Sequence, residues 1–202
     1  MEIKKIKKMS NQKYKIEFSD GTNIVTYDDV ILKYSILYKK SIDSDLLNQI
    51  NKDNNFYNAF NKVVKYTSKR VRSKREIDEY ISKMNILDDE KDKIFMLLIE
   101  KGFINDDNFA RAYIADKLYL TNVGPNKIAA ELLEHNIDYD KIVEYLNDID
   151  KSYIYEKLEK LITKRLRTMK KGSPYIIKQK LKNEFLNLGY EETNIVEILN
   201  RQ

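Results

Sequence analysis

The spacing Ser73…Ile77…Ile81 returns as Gly124…Ile128…Leu132 and again as Ser173…Ile177…Leu181. The starts lie 124 − 73 = 51 and 173 − 124 = 49 residues apart. Each copy opens on a residue, or a residue followed by proline, that suits a helix N-terminus. A fixed period of this size marks a supersecondary unit that stacks on its neighbours, which makes a long surface instead of one deep pocket.

Helical periodicity fills in the rest of each unit. Phe56, Phe60, Val63, Val64 and Thr67 follow i, i+4, i+7, i+8, i+11, and Asp88 or Asp89 opens a helix with Ile94, Leu97 and Leu98 that ends at Gly102. Asp106 is expected to cap a helix carrying Phe109, Ala112, Tyr113 and Leu120, and Asp138 to start one with Ile142, Val143 and Leu146. From Ser152 the apolar positions are Ile154, Leu158, Leu161 and Ile162, and Glu191 leads into Ile195, Ile198 and Leu199. The expected fold is mainly α: three tandem three-helix repeats, 54–103, 104–150 and 151–202, in an elongated array.

Ahead of them residues 1–50 read as a small β-hairpin and helix module. From Glu2 to Tyr27 the signal is that of a small β sheet: Tyr14, Ile16 and Phe18 alternate with Lys13, Lys15 and Glu17, and Asp20-Gly21 supplies a hairpin turn before Ile24, Val25 and Tyr27. Asp28 or Asp29 is expected to cap a helix with Val30, Ile31, Tyr34, Leu37 and Tyr38, after which the polar stretch 41–55 reads as a link between modules. Only two prolines and five glycines occur, too few for an all-β chain.

The chemistry is bounded by what is missing. Without cysteine there is no disulfide, thiolate nucleophile or Cys-based metal site. Met1 to Ser10 carries lysines and no apolar core of a leader, and no window approaches a membrane span, so the expected setting is soluble and cytoplasmic. There is no glycine-rich phosphate loop, Ser-His-Asp order or HExxH. His135, the lone histidine, has Glu131 one turn earlier and no further ligand, which favours a structural or solvated role. Asp88-Asp89 and Asp106-Asp107 stand at expected helix starts, where capping accounts for them. A binding protein without catalytic machinery or cofactor is therefore expected.

Two segments resemble the RecX family, regulators of the bacterial recombinase RecA. Lys69-Arg70-Val71-Arg72-Ser73-Lys74-Arg75-Glu76-Ile77 is similar to that family's R-x-R-S-x-x-E-[LI] element, and Gly102 through Tyr113 to its GYIDDxxFAxxY element. Gly124-Pro125-x-x-Ile128-x-x-Glu131-Leu132 matches a third, in the right order. The resemblance covers about residues 56 to 200 and implies a run of three-helix repeats that docks in the groove of the RecA filament on single-stranded DNA and dampens ATP hydrolysis and strand exchange. It also implies a place in recombination, DNA repair and the SOS response, with the protein expected to be monomeric when alone. The hairpin and helix before residue 45 look like the N-terminal extension of longer members.

The candidate contacts are two basic clusters, Lys69, Arg70, Arg72, Lys74 and Arg75, and Lys164, Arg165, Arg167, Lys170 and Lys171, with Arg111 as a further exposed cation. Each cluster sits at the end of a first helix, where cations also complement the helix dipole. Arginine forks onto carboxylates and phosphates alike, so an acidic filament surface and the DNA backbone both remain open as partners. A direct nucleic-acid-binding helical protein is the alternative, since neutralised phosphates alone give salt-dependent affinity.

Overall fold

A computed structural model describes residues 1–169 and 173–202. The chain is mainly helical, with an antiparallel sheet at its N-terminal end. It divides into two compact units: Met1–Arg70 with Asp78–Phe103, and Val71–Ile77 with Ile104–Gln202.

The first unit begins with three strands in the order β1 (Ile3–Lys8), β2 (Lys13–Phe18), β3 (Asn23–Tyr27). The expected hairpin is β2–β3, and β1 takes up the start of the stretch from Glu2 that reads as β, although its residues do not alternate strictly. A register shift between Ile3 and Lys5 is the reason: the bulge brings two isoleucines three apart, Ile3 and Ile6, onto the same core. Asn11 and Gln12, both at positive φ, carry the turn from β1 to β2, which the Met9 N–H closes on the Lys13 carbonyl at 2.7 Å. Beyond β3 lie α1 (Asp28–Lys33) and a short 3-10 turn at Ile36–Tyr38; α1 has no side-chain cap, and Asp28 and Asp29 occupy its first turn instead.

The stretch 41–55, expected as a polar link, is mostly helix. Helix α2 runs from Ser44 to Thr67, started by Asp43, whose carboxylate accepts the Leu46 N–H at 2.7 Å. Leu46, Leu47, Ile50 and Tyr57 pack on the sheet's core of Ile16, Phe18, Tyr27, Val30, Ile31, Ile36 and Ile42. The stretch reads as polar because only one face of the helix meets this core. Further along, α2 buries Ala59, Phe60 and Val63 and packs on α4 (Asp88–Glu100), which buries Ile94 and Leu98.

The second unit holds the start of α3 (Lys74–Ser82) and helices α5 (Asp106–Leu120), α6 (Pro125–Glu134), α7 (Tyr139–Asn147), α8 (Lys151–Thr168), α9 (Pro174–Asn187) and α10 (Glu192–Arg201). One core joins α5, α6 and α7 through Phe109, Ile114, Leu118, Ile128, Leu132, Ile142 and Tyr145. Another joins α8, α9 and α10 through Leu158, Ile162, Leu181, Phe185, Ile195 and Ile198. Lys157 of α8 donates to the carbonyls of Leu118 at 2.5 Å and Val123 at 3.5 Å, tying the end of α5 to α8; burial lowers its pKa from the ordinary lysine value.

Helices α4, α6 and α9 end alike. Gly102, Asn136 and Gly189 take positive φ, and the next residue donates back across the last turn: Phe103 N–H to Leu98, Ile137 to Leu132, Tyr190 to Phe185. Two glycines and one asparagine fill these positions because a residue without Cβ, or with a short polar side chain, enters the left-handed region most cheaply.

Candidate functional site

Most of the three segments that carry the sequence resemblance, Val71–Ile77, 104–113 and 124–132, comes together within the second unit. Ser73 is fully buried and is the N-cap of α3: its hydroxyl accepts the Glu76 N–H at 3.1 Å, and the Glu76 carboxylate accepts the Ser73 N–H at 3.2 Å. This reciprocal capping box satisfies two donors that a helix start leaves open. Glu76 also pairs with Arg72 at 3.3 Å, with only 14% and 17% of the two side chains exposed.

The neighbours of this cap come from the other two segments. Asp106 accepts the Lys74 N–H at 2.7 Å. The expectation that Asp106 caps its own helix is thereby corrected: Asn105 is the N-cap of α5 and accepts the Asn108 N–H at 2.9 Å, which frees Asp106 to hold the start of α3. Arg75 donates to the carbonyl of Glu134 at the end of α6, where a cation complements the helix dipole. Ser73 Oγ lies 3.0 Å from His135 Nδ1, and the imidazole rests between Phe109 at 4.9 Å and Tyr113 at 5.6 Å.

Tyr113 continues the chain of contacts into the third segment, donating to Glu131 at 2.8 Å, and Lys117 pairs with the same carboxylate at 2.7 Å. Burial pushes the Glu131 carboxyl up, but the Lys117 and Tyr113 hydrogen bonds outweigh it, and the net pKa lies below the usual 4.5. Lys117 is raised in return, chiefly by its hydrogen bond to Glu131. At the opposite end of α5, Asp107 accepts from Lys141 at 2.7 Å and Tyr145 at 2.9 Å, and these two bonds hold its carboxyl low.

A second junction has no counterpart in the sequence patterns. The N–H groups of Gly124 and Asn126 donate to the carbonyls of Leu188 at 2.7 Å and Gly189 at 3.0 Å, so the turn after α9 closes the N-terminus of α6. A Cβ on Gly124 would stand 2.6 Å from the Gly189 oxygen, and one on Gly189 would stand 2.3 Å from the Lys127 nitrogen. Tyr190, next to this contact, is 2% exposed with burial pushing its hydroxyl up to about 12. A glycine pair was the available signal, yet nothing in sequence links positions so far apart.

The expected contact residues therefore have different surroundings. Lys69 and Arg70 are exposed in the first unit, whereas Arg72, Lys74 and Arg75 belong to the second. Arg111 is half-exposed, pairs with Asp148 at 3.1 Å and Glu144 at 3.9 Å, and lies 4.1 Å from the centre of the Tyr145 ring. Lys164 and Arg167 are exposed on α8, and the Arg165 Nε–H is shared between the two carboxylate oxygens of Glu184, both at 3.0 Å. Lys170 and Lys171 lie outside the described residues. Among the described residues no group of three or more His, Asp or Glu is placed to hold a metal ion, and no helix is long and apolar enough to cross a membrane.

No family model matches the chain. Among curated proteins, regulatory protein RecX of Listeria innocua is 23% identical over 185 residues, spanning 92% of this chain and 69% of its own. Regulatory protein RecX of Leuconostoc mesenteroides is 25% identical over 201 residues, 98% of this chain and 75% of its own. A crystal structure of regulatory protein RecX superposes with a TM-score of 0.76 at 18% identity, covering 100% of this chain and 99% of that one. The crystal structure of RecX from Lactobacillus salivarius gives 0.64 at 23% identity over 72% and 95%. Along most of its length the chain is thus similar to proteins named regulatory protein RecX, and it shares the fold of the solved RecX structures.

Proposed function

We propose that this protein regulates a RecA recombinase by binding the RecA filament on single-stranded DNA, lying in its groove and slowing ATP hydrolysis and strand exchange. The observation that carries the reading is the agreement in family: homologues named as RecX regulators match along most of the chain. The helices would act as three tandem three-helix repeats, a scaffold that meets an extended partner over several protomers. No step of the chemistry is asked of this chain; it works in the cytoplasm as a monomer until it meets the filament, within DNA repair and the SOS response.

The contact falls to the exposed cations Lys69, Arg70, Lys74, Lys164, Arg165 and Arg167, and to Arg111. Arg72 and Arg75 serve the α3 junction first, so their removal confounds folding with binding. The test is the ATP hydrolysis rate of RecA on single-stranded DNA as this protein is added. Inhibition at substoichiometric protein supports the reading, and an unchanged rate together with unchanged strand exchange sinks it. Direct binding to nucleic acid is the second reading, favoured by the exposure of Lys69, Lys164 and Arg167; there the naked strand alone would be bound, with affinity falling steeply with salt.

A further inference from the structure

Helix α2 carries a polar stripe that the motifs do not touch. Asn51, Asn55, Asn58, Lys62 and Lys65 follow one another at +4, +3, +4, +3, which places them on a single face. From Asn51 to Lys65 the stripe runs 65 − 51 = 14 residues, about 21 Å.

Two adjoining hollows of the first unit open along it. The larger, about 1130 Å³, is lined by Asn51, Lys52, Asn55, Lys62, Tyr80 and Lys83 among others. The smaller, about 540 Å³, is lined by Asn11, Gln12, Lys13, Asn61 and Lys65 among others, and the two share Asn58 and Lys62. Lys52, Lys62, Lys65 and Lys83 are all exposed, and among the described residues none forms an ion pair. One carboxylate lines the larger hollow: Glu90, 8% exposed, which accepts the Leu87 N–H at 3.4 Å. Asp53 is engaged away from the stripe, by Lys33 at 2.6 Å.

We propose that this stripe is a track for the phosphodiester backbone of a single nucleic-acid strand, a contact separate from the basic clusters and independent of RecA. The chemistry favours phosphate over an acidic protein segment. Every cation here is lysine, a point charge that neutralises phosphates without demanding fixed geometry, while the bidentate fork that selects carboxylates is absent. The asparagine amides donate to phosphate oxygens and also match base edges. Tyr80, its ring stacked on Tyr66 at 4.0 Å and 3°, lines the hollow as an aromatic surface of the kind on which bases pack.

The test is fluorescence anisotropy of a labelled oligodeoxythymidylate with the full chain, without RecA, across a salt series. Lys52→Glu, Lys62→Glu and Lys83→Glu combined should weaken binding about tenfold or more and reduce the slope of log affinity against log salt by roughly 2, about 0.7 for each phosphate that is no longer neutralised. The neutral triple variant to Gln should show the smaller loss of the same sign, and circular dichroism should stay unchanged in both. Unchanged affinity and slope in both triple variants would overturn the track, as would equal displacement of the oligonucleotide by polyglutamate of matched charge, which would mark an acidic-protein site. RecA inhibition is measured apart, so loss of that activity leaves the track standing and loss of the track leaves that activity to be judged alone.

Discussion

The helices α5 to α7 are held from two sides by junctions of opposite make. At one, the segment Val71–Ile77 is fixed by side chains: the Ser73 hydroxyl, the Asp106 carboxylate, the Arg75 guanidinium and the His135 ring. At the other, the turn at Leu188–Tyr190 meets the start of α6 backbone to backbone, through Gly124 and Gly189. Side-chain junctions use residue types that announce themselves and tolerate partial repair by water. A backbone junction has no such slack, because its cost is set by sterics and by a φ that only glycine takes freely.

The two junctions should differ most sharply at Gly189→Ala. Its φ of +87° disfavours any Cβ, and the added atom would meet the Lys127 backbone, which cannot rotate away. Left-handed strain and overpacking together predict a loss of about 3 kcal/mol, or roughly 10 °C in melting temperature for a chain of this size. Gly102→Ala is the control: it shares the positive φ, but no atom lies within 4 Å of its Cβ, so it should lose only the strain, about 1 kcal/mol. Equal losses measured by thermal unfolding would mean that the close approach at Gly189 carries no weight.

At the side-chain junction, Ser73→Val removes the cap of α3 and the hydroxyl facing His135 and adds one methyl group, an addition that Ser73→Thr shares. The expected loss is about 2 kcal/mol by urea unfolding, and Ser73→Thr, which keeps the hydroxyl, should recover most of it. If Val and Thr behave alike, the capping box is not what holds the segment. By contrast the Arg165–Glu184 pair, 49% and 37% exposed, is of the surface kind that contributes little to stability. Two basic runs that look equivalent in sequence thus differ in kind: the first is partly built into a junction, and the second stands largely in solvent.

Much of this was legible in advance, and the gaps have physical reasons. Helix starts at Ser73, Asp138 and Ser173 are where the residue types place them, because capping is a local interaction between a side chain and the next turn, and the start of α6 is marked by Pro125 at its first position. Strand β1 falls in the stretch from Glu2 that reads as β, but its pairing was not legible because a bulge breaks the period-2 pattern between Ile3 and Ile6. The first half of α2 was hidden because its polar face dominates the composition of 41–55, while its contact with the sheet is set by tertiary packing. Of the candidate site, the motif residues could be named but not their partners: that Asp106 serves α3 and not α5, or that Gly189 meets Gly124, depends on elements far apart in sequence.

The smallest expected effect sharpens the same contrast through pH. Glu131 sits within the side-chain junction, its carboxyl raised by burial but lowered further by the hydrogen bonds from Lys117 and Tyr113, for a net pKa below 4.5. A carboxyl whose folded pKa is depressed adds stability that is fully present above the unfolded value and fades as pH falls through the folded one. Lys117, raised above 10.5 by the same pair, adds stability that is present below the unfolded lysine value and fades as pH rises through the folded one, well outside the acid range. Glu131→Gln should therefore lower stability near neutral pH by under about 1 kcal/mol, since both side chains are about a quarter exposed, and the gap to the parent should close as the pH falls through the depressed folded-state pKa. Gly189→Ala acts through sterics, so its deficit should stay constant over the same range. Melting curves of the parent and the two variants at a series of pH values separate the cases: a gap for Glu131→Gln that persists at low pH would show that the carboxylate's charge is not what the junction uses.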